Sequence, residues 1–309
     1  MGGIESWGIA VIAGVQQLSS PAADLFFRLV TLLGDEKFYL LLLPLVYWCV
    51  DKRLGIRLAV LVMASNVINL WVKYACNLPR PYRSPEVVKI RLLGSETGPG
   101  FPSGHAQGVA VAFGYLAHRA RRWGAWVAAA VLVLLVAFSR IYLAEHYPHD
   151  VLGGLAIGLA VLAIFVWAAP RVEDLWLSWP RALRYGVALG VPLILLALPV
   201  LLLGGRGTED AAGSLGALAG FGVGGLVEGE RLRFSAQGAF ARRAARFVLG
   251  FLLVGIVYFG LSAAPLEGAL WRFVRYACVG LMASAVAPWV FLRLGLAGSE
   301  GAVPVAGAA

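Results

Sequence analysis

Residues 123–150 read WGAWVAAAVLVLLVAFSRIYLAEHYPHD. From Trp123 to Phe138 no side chain is charged, and a helix that crosses a bilayer needs about 20 mainly apolar residues. The run ends at once in Ser139-Arg140, followed by His146 and Asp150. An apolar span that opens into titratable groups places chemistry at a membrane face. This stretch fixes the class of fold, and the rest of the chain is read outward from it.

The bulk composition agrees. Of 309 residues, 60% are hydrophobic and only 14% are charged, with a mean hydropathy of +0.79. Soluble domains carry about 25% charged residues. The deficit excludes a disordered chain or a nucleic-acid-binding tail, and it argues against a soluble enzyme. The net charge of +9 comes from 26 Lys+Arg against 17 Asp+Glu. In a membrane protein such an excess reads as cytoplasmic anchoring rather than polyanion binding. Cys49, Cys76 and Cys278 form no CxxC pair, which argues against a disulfide framework or a zinc site.

Nine candidate spans follow, near residues 37–50, 54–75, 103–119, 123–139, 150–169, 184–204, 212–228, 246–265 and 271–293. The expected fold is all-α, a polytopic helical membrane bundle. Residues 1–175 are expected to form the core that carries the motifs, and 176–309 to add further spans packed on it. Residues 4–18 and 21–33 are shorter and mixed and read as interfacial or partly inserted helices. The seventh span is rich in glycine, from Gly213 to Gly225, as suits a packed interior helix. Alternating connections put 15 basic residues on one face and 11 on the other. The positive-inside rule makes the first face cytoplasmic, with the N-terminus outside and the C-terminus inside. Glu228 and Glu230 read as interfacial partners of Arg231 and Arg233.

Three polar clusters map to the outer face: Lys73-x6-Arg80-Pro81, Pro102-Ser103-Gly104-His105, and Ser139-Arg140-x5-His146-x3-Asp150. Lys73, Arg80 and Arg140 supply three cations. Arg offers a bidentate fork for phosphate oxygens and Lys a point charge. Ser103 and Gly104 stand where a helix begins, and free N–H groups there favour a phosphate. Of two histidines, one can attack phosphorus while the other protonates the leaving oxygen. Asp150, four residues after His146, comes within reach of one ring nitrogen if that turn is helical. No metal-ligand cluster accompanies these groups, so no metal or other cofactor is expected. Taken singly, Ser103 and Asp150 read as well as plain N-caps. His149 falls outside the pattern and reads as an interfacial residue.

The three motifs together resemble the type-2 phosphatidic acid phosphatase superfamily, whose pattern is K-x6-RP, PSGH and SR-x5-H-x3-D. Every fixed position is matched, across 78 residues from Lys73 to Asp150. The resemblance implies a phosphatidic-acid-phosphatase/haloperoxidase-like core. It implies His146 as the nucleophile that forms a phosphohistidine. It also implies His105 as the acid for the leaving group and then the base for water, with Asp150 orienting His146. Lys73, Arg80, Ser103, Gly104 and Arg140 would bind the phosphoryl group. Glu96-Thr97-Gly98-Pro99-Gly100 and the stretch Ser139–Ala144 are similar, more narrowly, to the glucose-6-phosphatase catalytic subunit.

The expected activity is metal-independent hydrolysis of a phosphate or pyrophosphate monoester at the extracytoplasmic face of a cell membrane, a bacterial inner membrane on composition. A phosphorylated lipid such as undecaprenyl pyrophosphate or phosphatidate is the favoured substrate. The alternatives are a sugar-phosphate phosphatase and a lipid phosphotransferase. A non-catalytic scaffold on the same fold is disfavoured by intact His105, His146 and Asp150. The loop from Asn77 to Phe101, with Arg83, Glu86, Lys89 and Arg91, is expected to form a rim that selects the substrate.

Overall fold

The computed structural model describes residues 3–300. Among them the chain is helical, with no β-strand; Phe234 and Ser299 form one isolated antiparallel bridge. The helices are α1 (Gly3–Val15), α2 (Pro21–Thr31), α3 (Glu36–Cys49), α4 (Lys52–Cys76), α5 (Gly104–Ala120) and α6 (Trp123–Tyr142). They continue with α7 (Pro148–Ser178), α8 (Arg181–Leu203), α9 (Thr208–Val227), α10 (Phe240–Ser262), α11 (Ala269–Leu281) and α12 (Ala287–Arg293). Among the described residues, seven segments, built on α4 and on α6 to α11, are long and apolar enough to cross a membrane. The other two expected spans fall on α3 and α5, of 14 and 17 residues. At 1.5 Å per residue they reach about 21 and 26 Å, short of a 30 Å hydrocarbon core. Both chain termini, expected on opposite faces, lie outside the described residues.

The fold divides into two compact units. The first comprises the chain up to Tyr39 together with Ala64–Leu177; the second comprises Leu40–Met63 and the chain from Ser178 on. All three polar motifs belong to the first unit. There, Ser20 caps α2 by accepting a hydrogen bond from Ala23 N, with Pro21 in the first turn where its missing N–H costs nothing. Ser103 caps α5 in the same way through Ala106 N. The first helix is not simply interfacial. Its Ile9 and Ile12 are fully buried against Ala144 and Tyr147, burial that stabilises by roughly 1.5–3 kcal/mol per side chain. The apolar face of α1 thus packs on the turn between α6 and α7, which carries His146.

In the second unit the core gathers Tyr47, Trp48, Phe221, Phe234 and Phe291. The glycine-rich reading of α9 holds: a Cβ on Gly220 would collide with the backbone carbonyl of Ala277 on α11. A π-helical turn over Met282–Val286 separates α11 from α12. Carbonyls in it serve side chains, since Tyr47 Oη donates to Ser284 O (3.0 Å) and Trp48 Nε1 to Ala283 O (2.8 Å).

Three charged residues of this unit differ from the sequence reading. Glu228 pairs with Lys52 (3.2 Å) and accepts from Phe234 N (2.8 Å), while Glu230 pairs with Arg181 (3.3 Å). The π-helical turn over Glu228–Leu232 changes the direction of these side chains from that of a regular helix. Arg246, one of the 15 basic residues assigned to the cytoplasmic face, is fully buried and donates to the carbonyls of Ser235, Ala236 and Gln237 at 2.8–3.0 Å.

Candidate active site

The site lies at helix ends. Lys73 is in the last turn of α4 and Arg140 in the last turn of α6. Ser103 precedes α5, and Asp150 is in the first turn of α7. The link between Arg140 and His146 is made locally. The carbonyl of Arg140 accepts from both Glu145 N (3.1 Å) and His146 N (3.2 Å), and Ala144 takes a left-handed φ of 58° to close the turn. The five-residue gap of the third motif is therefore one tight loop that folds the nucleophile candidate back over the phosphate-binding candidate.

His146 is completely buried. Its Nδ1 lies 3.4 Å from Asp150 Oδ2, and its Nε2 lies 3.2 Å from Arg80 Nη1. Arginine can only donate, so Nε2 presents a lone pair to it and the ring proton sits on Nδ1, facing the carboxylate. Burial is the largest influence on this imidazole. With the charges of Arg80 and Arg140 it holds the ring below its ordinary pKa, against the opposing pull of Asp150 and Glu96. Both influences favour the neutral ring, with the lone pair of Nε2 turned toward the cluster.

Asp150 is also fully buried. It is not the N-cap of α7 but lies inside its first turn, where Oδ2 accepts from Tyr147 N at 3.0 Å. This reciprocal bond closes the helix start as a capping box does, and it fixes the carboxylate that faces His146. The other oxygen, Oδ1, lies 3.4 Å from His149 Nε2. His149 also stacks on Tyr147, ring centroids 5.1 Å apart, so it belongs to the surroundings of Asp150 rather than to a bare interface.

Arg80 is buried with its guanidinium divided among Gly98 O (3.2 Å), Glu145 O (2.9 Å) and Glu96 Oε2 (2.8 Å). Arg140 donates to Thr31 Oγ1 (2.5 Å) and pairs with Glu96 Oε1 (2.8 Å) and with Glu145. Lys73 feels the charges of Arg80, Arg140, Glu96 and Asp150. Ser103 is buried, and its N–H donates to Asp150 O at 3.0 Å. Beside Gly104 stands Asn69, whose amide donates to Gln107 Oε1 at 2.8 Å. His105 is partly exposed, packs on Gly34, and sets its Nδ1 3.0 Å from Glu96 Oε1. All eight expected site residues thus lie in one neighbourhood.

Two acids in that neighbourhood were not singled out from the sequence as site residues. Glu96 touches Arg80, Arg140 and His105, with His146 Nε2 at 3.7 Å. Burial alone would raise its carboxyl, but the contacts with His105 and His146 and the charge of Arg140 outweigh this and hold it well below the usual carboxylate range. Glu145 accepts from Ser95 N (2.9 Å) and so ties the loop before α5 to the Arg140 turn. Its place beside His146 in the third motif was the available signal.

The rim differs from the expectation in one respect. Lys89 pairs with Glu86 (2.8 Å), and Arg91 pairs with Asp24 (3.1 Å) and donates to Ser19. The N-terminal helices strap this loop down. Ser6 donates to Glu86 (2.9 Å), and Gln16 bonds both the N–H and the carbonyl of Arg91 at 2.8 Å. Besides Arg80, the side chain that this loop extends into the cluster is an acid, Glu96.

Comparison with known proteins follows the same outline. Residues 54–174 match the sequence model of the PAP2 superfamily, and residues 212–299 match that of the PAP2 superfamily phosphatase transmembrane extension. Together they cover more than half of the chain. The chain is 27% identical over 206 residues to lipid phosphate phosphatase delta of Arabidopsis thaliana, covering 62% of this chain and 49% of that protein. It is 31% identical over 176 residues to glucose-6-phosphatase 3 of Mus musculus, covering 49% and 50%. The chain spans about half the length of the curated relatives it matches. Among solved structures, a transmembrane PAP2-type phosphatidylglycerolphosphate phosphatase from Bacillus subtilis aligns with a TM-score of 0.48 at 22% identity. The alignment covers 56% of this chain and 89% of that one.

Proposed function

The chain belongs to the PAP2 superfamily, and from that premise we propose that it is an integral-membrane phosphatase that removes a terminal phosphoryl group through a phosphohistidine. The observation that carries the reading is convergence: Arg80, Arg140, His105 and His146 all reach one carboxylate-sized volume. In the proposed reaction Lys73, Arg80 and Arg140 hold the phosphoryl oxygens. Ser103 and Gly104 offer the start of α5 to them. His146 Nε2 attacks phosphorus, and the bond to the leaving oxygen breaks as His105 protonates that oxygen. Asp150 takes up the positive charge that develops on the His146 ring. His105, now a base, removes a proton from water, which cleaves the P–N bond and releases phosphate. The cations of the chain supply the charge neutralisation, so the reaction is proposed to need no metal.

A phosphorylated lipid is the substrate that fits best. The site stands where α4, α5, α6 and α7 begin or end, and helix ends of membrane spans are where a lipid head group would be met. The lipid phosphatase relative supports this, and the charge bias supports an extracytoplasmic site in a bacterial inner membrane with the C-terminus inside. A sugar phosphate is the second reading, favoured by the glucose-6-phosphatase relative. The test is phosphate release by the purified protein with EDTA present. The panel is undecaprenyl pyrophosphate, phosphatidate, a sphingoid phosphate and glucose 6-phosphate. Release from the lipids is expected. Release from glucose 6-phosphate alone would replace the lipid reading, and loss of all activity to EDTA would refute metal independence.

A further inference from the structure

Glu96 stands where the substrate must go. Its Oε2 is 2.8 Å from Arg80 Nη2 and 3.7 Å from His146 Nε2; its Oε1 is 2.8 Å from Arg140 Nη2 and 3.0 Å from His105 Nδ1. Two carboxylate oxygens therefore use the donors on which two phosphoryl oxygens would rest. The two anions cannot share these donors, because like charges at this distance repel. Binding of substrate means exchange with Glu96.

The terms of that exchange depend on the incoming anion. A phosphodiester carries one charge and two free oxygens, the same as Glu96. A phosphate monoester carries about −1.5 to −2 charges at neutral pH and a third oxygen, and Lys73 gives that extra charge a partner. Glu96 is tethered, so it competes at an effective concentration on the order of millimolar or above. An untethered diester offers nothing that Glu96 does not already provide, whereas a dianion does.

The loop is built for the exchange. Glu145 holds the backbone N–H groups of Ser95 (2.9 Å) and Glu96 (3.4 Å), and Gly98 takes the left-handed φ of 79° that closes the segment. The backbone is anchored while the Glu96 side chain, 30% exposed, has solvent on one side to turn into. We infer that Glu96 is an internal competitor for the phosphoryl cradle. It sets the preference for terminal, dianionic phosphoryl groups over the phosphodiester head groups that surround any membrane enzyme. This rests on the cradle proposed above.

The test uses full-length protein in detergent as wild type, Glu96→Gln and Glu96→Ala. Binding of inorganic phosphate and of dimethyl phosphate, a soluble diester, is read by calorimetry, which needs no turnover. If Glu96 leaves the cradle open 1–10% of the time, removing its charge tightens inorganic phosphate binding about 10–100-fold. The variants should also gain dimethyl phosphate binding that the wild type lacks, and phosphatidylglycerol should become an inhibitor. Two variants guard against a folding defect in either one. Dimethyl phosphate binding unchanged in both would overturn the inference, as would weaker phosphate binding in both, which would make Glu96 a support rather than a competitor. If no form, wild type included, binds inorganic phosphate, the cradle itself is wrong and the inference falls with it.

Discussion

Replacing Asp150 by Asn tests how His146 is armed. The substitution preserves size at a position with no solvent access and leaves an oxygen that can still accept from Tyr147 N. What it removes is a negative charge 3.4 Å from His146 Nδ1. At that separation and an effective dielectric of about 20, a carboxylate and a cationic ring attract by about 5 kcal/mol. In the proposed reaction, above the acid limb the ring becomes cationic when phosphorus bonds to it, so the loss falls on the transition state and the phosphohistidine. At 1.36 kcal/mol per decade it amounts to about 10³–10⁴ in rate. The amide oxygen that keeps the bond from Tyr147 N takes the place of Oδ2, which also faces Nδ1, so the ring tautomer is retained and the charge is what is lost. The assay is kcat with p-nitrophenyl phosphate, together with rapid-quench trapping of the phosphoenzyme. A thermal melt would show that the variant is folded. The pH profile adds a signed test. Asp150 raises the pKa of His146 while burial lowers it. Without Asp150 the acid limb of kcat/KM, where a protonated His146 loses its lone pair, moves to lower pH. A folded Asp150→Asn protein within tenfold of wild type, or an acid limb that moves upward, would refute the role of the Asp150 charge in stabilising the cationic ring.

Two further outcomes follow from the same geometry. His105→Ala should slow cleavage of an alkyl phosphate about 10²–10⁴-fold but p-nitrophenyl phosphate by less than tenfold, because a good leaving group needs no acid. Equal losses in the two assays would remove His105 from that role. Arg246→Ala should lower stability by about 3–5 kcal/mol, since three carbonyls lose a buried charged donor. A thermal unfolding midpoint in detergent that stays within a degree or two of wild type would show that the loop from Ser235 to Gln237 does not depend on it.

What could be read from the chain and what could not divide along physical lines. The long apolar runs declare themselves, because nothing else in a sequence needs 20 residues without charge. The start of α5 is legible too, since Ser103 reads as an N-cap and its side chain does accept from Ala106 N. Arg246 and Glu228 read as surface charges because their partners, the Ser235–Gln237 carbonyls and Lys52, are set by turns rather than by helical spacing. His149 was discounted because a pattern with one histidine before Asp150 left it no part, although Asp150 has two oxygens to share.

The same reasoning applies to the site with more force. The sequence announces Lys73, Arg80 and Arg140 through fixed spacings, and it leaves Glu96 and Glu145 in the background. Yet three cations cannot be held together at helix ends, two of them buried, without matching anions: an unpaired buried charge costs several kcal/mol. Asp150 supplies one countercharge, and two more had to lie within reach. Besides Asp150, the chain from Lys73 to Asp150 holds Glu86, Glu96 and Glu145, and the last two stand nearest in sequence to Ser103 and His146. Charge balance was a usable signal, and it separates the two acids by function. Glu145 is fixed, since it binds backbone N–H groups as well as Arg140. The Glu96 side chain binds Arg80, Arg140 and His105, each of them assigned to the phosphoryl substrate in the proposed reaction. An acid whose every partner is a substrate ligand has no structural bond to lose by leaving, which is why the exchange argued above falls to Glu96 and not to its neighbour.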